Sequence, residues 1–174
     1  MVVKENNNEK RFDVVIFVNG LPLVFAELKN ATDEQATLIR AHQQIQNYKT
    51  AIPSIFYFNS ICIISDGIDA KTSSLSAPFS RYLSWKAPTP LPNDPRTDLQ
   101  ILTEHMLNKK TLVELIRYCT VFEQEEKKDK DTGLIFQVKI KKVAAYHQYY
   151  AVQKAVDQTV RATHAQDGDR KIGV

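Results

Sequence analysis

The sequence predicts an α/β protein, and three observations carry the prediction. Two apolar runs, 14–18 and 21–28, stand either side of an Asn19-Gly20 turn signal. A helical stretch over 33–49 follows them. Two short runs rich in β-branched and aromatic residues, 55–58 and 61–65, come next. Strand, strand, helix, strand, strand is an order that builds a sheet with helices packed on it.

Each element has a local reason. Neither hairpin run alternates apolar and polar residues, so the hairpin is expected to be covered on both faces. Thr32 or Asp33 can cap the helix and Glu34 puts negative charge in its first turn, while Pro53 closes the segment. Asn59-Ser60 reads as a tight turn between the two short strands, and Asp66-Gly67 as a second turn. The small polar stretch 72–76 reads as a loop, and 81–85 as a further strand. Four prolines between 88 and 95 exclude regular structure and mark a boundary. Beyond it, 98–107 and 112–119 read as helices, the second capped by Thr111. Residues 123–131 form a solvated charge run, 134–140 a strand, and 141–165 a helix. Its expected packed stripe is Ala144, Ala145, Val152, Ala155, Val156 and Val160.

Composition narrows the function classes. The 174 residues carry a net charge of +3, with basic and acidic residues interspersed, which permits nucleic-acid binding without arguing for it. Cys62 and Cys119 make no disulfide framework; both sit in apolar segments and read as buried free thiols of a reducing, cytoplasmic setting. No stretch approaches transmembrane length, so no membrane partner is expected. His42, His105, His147 and His164 lack metal-ligand spacing with one another or with the cysteines. Ser65-Asp66-Gly67 is a turn and not a nucleophile elbow, and no phosphate-loop motif occurs in the chain.

The charges that demand explanation are Asp13, Glu27 and Lys29, set among residues that favour burial. Edge-strand charges that deter aggregation are the plain reading. The chemical one is a pair of carboxylates for a hard divalent cation, with a lysine beside them. Glu27 and Lys29 are two apart on a strand and so face the same way. Asp13 is harder to place. A two-residue loop at Asn19-Gly20 sets it opposite Ala26, and a four-residue loop sets it opposite Leu28. Either puts Asp13 and Glu27 on opposite faces. Only a three-residue loop or a bulge unites them, so the chemical reading demands an irregular hairpin.

Asp13 followed by Glu27-Leu28-Lys29 matches the PD-(D/E)xK nuclease pattern. The fuller wording DVVIFVNGLPLVFAELKN resembles the R (restriction and motor) subunit of type I restriction endonucleases. The resemblance implies a mixed sheet flanked by helices and followed by a helical connector. It implies Mg²⁺-dependent cleavage of double-stranded DNA, with Mn²⁺ as a possible substitute. Asp13, Glu27 and the Leu28 carbonyl would be the metal ligands, and Lys29 would orient the water or steady the developing charge. Gln44 and Tyr48, four apart on the helix, match the QxxxY element that positions DNA or ties the helix to the active strand. The stretch from Ala145 to Val152 resembles the Q-motif of superfamily 2 motors, with Gln148 as the adenine reader and Tyr146 or Tyr149 as a stacking neighbour.

On this resemblance the chain divides into a nuclease domain (1–87) lacking an N-terminal helix, a proline-rich boundary and helical connector (88–142), and the start of a motor domain (143–174). ATP would serve only the full-length subunit, and the methylation and specificity subunits would be partners. A stand-alone repair-type nuclease is the alternative within the fold. A non-catalytic DNA-contacting scaffold module is the alternative outside enzymes.

Overall fold

The computed structural model describes residues 1–30, 37–130, 132–164, 168, 170 and 171. A hairpin of β1 (Val2–Glu5) and β2 (Asn8–Arg11) opens the chain. Then come β3 (Val14–Val18), β4 (Leu21–Leu28), α1 (Leu38–Ala51), β5 (Ile61–Ser65) and β6 (Ala70–Ser73). The last four strands form one sheet in the order β3-β4-β5-β6, with β4 and β5 parallel and the outer pairs antiparallel. The parallel pair requires the crossover that α1 supplies. The result is the expected mixed sheet flanked by helices.

Alternation along the central strands explains their unbroken apolar runs. Phe25, Cys62 and Ile64 point to one face, where Phe12, Ala41, Ile45, Tyr48, Phe56 and Tyr82 close a first core. Val24, Ile61 and Ile63 point to the other, where Trp85, Leu102, Met106, Leu112, Leu115 and Tyr149 close a second. With apolar layers on both faces, β4 and β5 have little use for polar residues. The expectation that both hairpin strands are covered holds for β4 alone. β3 is the sheet edge, and Val14 and Phe17 are exposed there.

Several element readings are corrected. Residues 55–58 form no strand: Pro53–Phe56 is a 3₁₀ turn with Pro53 in its first turn, and it drops Phe56 into the first core. Asn59 is buried instead of turning a hairpin, its amide donating to the Leu23 and Ile61 carbonyls. The expected loop at 72–76 overlaps β6, because the Ser65–Asp69 turn folds that segment back onto β5. The 81–85 strand shrinks to a single bridge between Thr72 and Leu83. The start of α1 expected at Thr32 or Asp33 lies outside the described residues; Thr37 caps the described helix.

After the proline stretch, α2 (Asp98–Ile101) runs into a π-helical turn, Leu102–Met106. α3 (Lys109–Tyr118) starts earlier than expected, because Asn108 and not Thr111 accepts the capping bond. The charge run is strand as far as Lys128. β7 (Thr120–Lys128) pairs along its whole length with β8 (Ile135–Val143) in a separate ribbon, so the connector is helical only as far as Tyr118. Nearly all of β7 is exposed, and a strand wet on both faces can carry alternating charges without penalty. Two lysines of β8 have partners. Lys141 bonds the Asn59 carbonyl through Nζ and exchanges main-chain bonds with the Ser74 and Ser76 hydroxyls, while Lys142 pairs with Glu123.

α4 (Tyr146–Ala162) begins after 141–143 have been taken into β8. Its packed face is Tyr146, Tyr149, Tyr150 and Gln153, not the valine stripe; Val152, Ala155, Val156 and Val160 are exposed. The tyrosines remove more area from water and also find partners. Tyr149 donates to Glu114 at 2.5 Å, and Tyr150 accepts from the Trp85 indole at 3.2 Å. Cys62 is fully buried, and burial pushes its thiol up to about 12; Cys119 is only partly buried. Among the described residues, no helix is long and apolar enough to cross a membrane.

Candidate functional site

The site is built on the β3–β4 hairpin. Val18 pairs with Leu21, so the loop is the two residues Asn19-Gly20, both at positive φ. That register runs through Phe17 and Pro22 and then breaks: Ile16 pairs with Val24, leaving Leu23 without a partner on β3. This is the irregularity that the spacing demands. Pro22, which has no N–H to give a ladder, sits beside it. The Leu23 carbonyl turns away from β3 to accept from the Ser60 N–H at 2.8 Å. Beyond the bulge the pairs Val15–Phe25 and Val14–Ala26 follow, and the same register continued by one residue sets Asp13 across from Glu27.

The Asp13 carboxyl lies close enough to that of Glu27 to push the Glu27 carboxyl upward. The second oxygen of Asp13 also accepts from the Leu28 N–H at 2.9 Å, which fixes its side chain to the neighbouring strand. Glu27 is 3% exposed. Lys29 Nζ lies 2.6 Å from Glu27 Oε1, and the Lys29 main chain is held by its N–H to the Ser65 carbonyl at 2.8 Å. Burial raises the Glu27 carboxyl above its ordinary range; the Lys29 bond opposes that shift and the Asp13 charge adds to it. Two acids brought together, one of them buried, with a lysine partner are a common signature of functional sites.

α1 closes the site from the first-core side. The Tyr48 hydroxyl donates to the Arg11 carbonyl at 2.8 Å, and its ring lies 4.6 Å from Phe12. The Gln44 side chain lies close enough to the same hydroxyl to oppose its upward shift. Burial raises the Tyr48 hydroxyl, and the charges of Glu27 and Asp13 push it the same way. Asp13, Glu27, Lys29, Gln44 and Tyr48 therefore converge. Sequence reasoning missed Phe12, Arg11 and Ser65, which hold these groups in place through a ring and two carbonyls. Main-chain carbonyls leave no trace in residue type. An aromatic directly before Asp13 was the one available sign.

Two facing carboxylates offer the hard oxygen donors that a Mg²⁺-like cation prefers, so the donor chemistry fits such an ion. Among the described residues no third acid, histidine or cysteine joins them. Tyr146 and Gln148 lie elsewhere, at the start of α4 and on the side of the second core. Tyr146 packs there, and Gln148 uses its side-chain oxygen to accept the Ala145 N–H at 2.9 Å.

Comparison with known proteins agrees with this architecture. Residues 1–81 match the family model described as type I restriction enzyme R protein N terminus. Over 99% of its length the chain is 42% identical to the type I restriction enzyme HindI endonuclease subunit of Haemophilus influenzae, covering 16% of that protein. It is 26% identical over 98% of its length to the putative type I restriction enzyme MjaIXP endonuclease subunit of Methanocaldococcus jannaschii, covering 17%. The putative MjaVIIP endonuclease subunit of the same organism is 26% identical over 88% of the chain, which covers 14% of it. The chain thus spans about a sixth of the length of these curated relatives. With residues 1–81 matching the R-protein N-terminus model and nearly its whole length aligned at 42% identity to an endonuclease subunit, the chain is similar to the N-terminal part of type I restriction enzyme R subunits.

Proposed function

We propose that the chain carries the DNA-cleaving site of a type I restriction enzyme R subunit, built as a PD-(D/E)xK nuclease. The observation behind this reading is the bulge-dependent meeting of Asp13 and Glu27 beside Lys29. Residues 1–87 would hold the cleavage site, 88–142 would connect, and 143–174 would lead into the motor. Asp13 and Glu27 would hold Mg²⁺ or Mn²⁺, with the Leu28 carbonyl as a further ligand. The bound cation would supply charge neutralisation at the phosphate and a more acidic water. Lys29, partly exposed, would orient the attacking water and steady the charge that develops on the phosphate. Gln44 and Tyr48 would hold the Asp13 segment in register and set the DNA backbone against it.

In the full-length subunit, cleavage would be coupled to ATP-driven translocation, with Gln148 and Tyr146 near the adenine. Methylation and specificity subunits would select the sequence. DNA contacts from this chain would be to backbone and therefore salt-dependent.

The test is cleavage of double-stranded DNA by the assembled full-length enzyme with Mg²⁺. Asp13→Asn, Glu27→Gln and Lys29→Met should each lower cleavage by at least about 10²-fold while ATP hydrolysis persists. Wild-type cleavage by Glu27→Gln would overturn the reading.

A further inference from the structure

The contact between Lys29 and Glu27 bears on how the site loads. Lys29 Nζ sits 2.6 Å from Glu27 Oε1, on a carboxylate almost wholly removed from water. Asp13 meets the same carboxylate from the other strand. A buried acid beside a second acid needs positive charge nearby. In this structure the lysine provides it.

We propose that Lys29 is the resident counter-ion of the Asp13–Glu27 pair, occupying the place beside Glu27 that a divalent cation takes, and that cation binding displaces its ammonium from Glu27. This rests on the reading of the two carboxylates as cation ligands and adds the order of events at them. An ammonium and a divalent cation within hydrogen-bonding range of one carboxylate repel each other strongly. Only the side chain of Lys29 has to move, because its N–H to the Ser65 carbonyl anchors the main chain. A four-carbon stem, 27% exposed, swings without disturbing β4. Once freed, the ammonium is available to the phosphate, so loading the cation and arming the lysine are one event. Until then the ion pair keeps the carboxylates from repelling each other.

The inference makes an unusual demand on the variant. If Lys29 served only to support Glu27, removing it would weaken cation binding; as a competitor, its removal tightens binding. The experiment is a calorimetric titration of the full chain with Mn²⁺, with melting temperature read in parallel. Lys29→Met should bind Mn²⁺ roughly tenfold more tightly than wild type. It should melt lower than wild type without cation and recover with saturating Mn²⁺. Lys29→Gln, which keeps a donor for Glu27, should shift affinity in the same direction. Lys29→Arg should stay within about twofold of wild type, since the competing charge remains. Equal or weaker Mn²⁺ affinity in both neutral variants, with binding still lost in Glu27→Gln, overturns the proposal and leaves the cation site standing. Mn²⁺ titrations that Glu27→Gln leaves unchanged overturn the cation site and this proposal together.

Discussion

Glu27 is where chemistry and stability pull against each other. Its carboxyl is raised by burial and by Asp13, so the folded protein holds its proton more tightly than the unfolded chain does. The linkage sign follows: folding takes up a proton over the range just above the ordinary carboxylate value of 4.5. Stability is greatest at low pH within that window and declines as pH rises through the raised pKa. Glu27→Gln should therefore flatten the melting temperature against pH just above the ordinary carboxylate range while lowering cleavage. A wild-type profile with no decline in that range would show that Lys29 fully offsets the burial cost. Tyr48 poses a cleaner residue question. Tyr48→Phe keeps the ring on Phe12 and loses the bond to Arg11, which should cost about 1 kcal/mol in denaturant unfolding. It should lower cleavage by more than that stability loss would cause, because Asp13 stands two residues from the released carbonyl.

The bulge of β4 is the element on which the site depends. The Asn19-Gly20 loop by itself sets Asp13 opposite Ala26, on the wrong face. Leu23 supplies the extra residue, and its carbonyl is satisfied by Ser60 and Asn59 from outside the hairpin. Deleting Leu23 removes the extra residue and should leave a regular ladder in which Val24 still meets Ile16 and Asp13 still meets Glu27. The expected outcome is Mn²⁺-induced thermal stabilisation close to that of wild type, with far-ultraviolet circular dichroism still showing a folded α/β protein. Loss of that stabilisation would show that the carboxylates need the bulge itself and not only the register it sets. In the β7–β8 ribbon a different rule holds for β7, which is exposed almost throughout and tolerates polar residues on both faces, while β8 is half-buried at Val138, Ile140, Lys141 and Val143.

At the scale of the molecule, the sheet is sandwiched. One core lies under α1, and the other joins β4 and β5 to Trp85, the 98–118 helical segment and Tyr149 of α4. Residues 1–87 would then be a functional unit without being an independent folding unit. A chain ending at Ala87 exposes Val24, Ile61, Ile63 and Ala70 to water, and it should be aggregation-prone or bind hydrophobic dyes. Leu102→Ala, at a fully buried position far from the carboxylates in sequence, should cost about 2–5 kcal/mol and shift one cooperative unfolding transition. Two separate transitions, with the cleavage-site half unaffected, would show that the halves fold apart.

The sequence by itself determined strands β3, β4 and β5, the Asn19-Gly20 hairpin turn, a helix between β4 and β5, the proline break and the wording that resembles the R protein. These follow from local rules: continuous apolar runs, residues suited to positive φ, helical spacing and the absence of a proline N–H. It also set the condition for the site, since the parity of the strands required an irregular hairpin. Where the bulge would fall was decided only by tertiary structure, because the Leu23 carbonyl needed Ser60 and Asn59 to satisfy it. The same holds for the face of α4 that packs, where tyrosines with partners in Trp85 and Glu114 displaced the valine stripe. It holds also for residues 123–128 of the charge run, which are strand because β8 pairs with them. For the bulge and α4 the deciding partners lie far along the chain, and for β7 in the next strand; residue types within one segment carry no record of them.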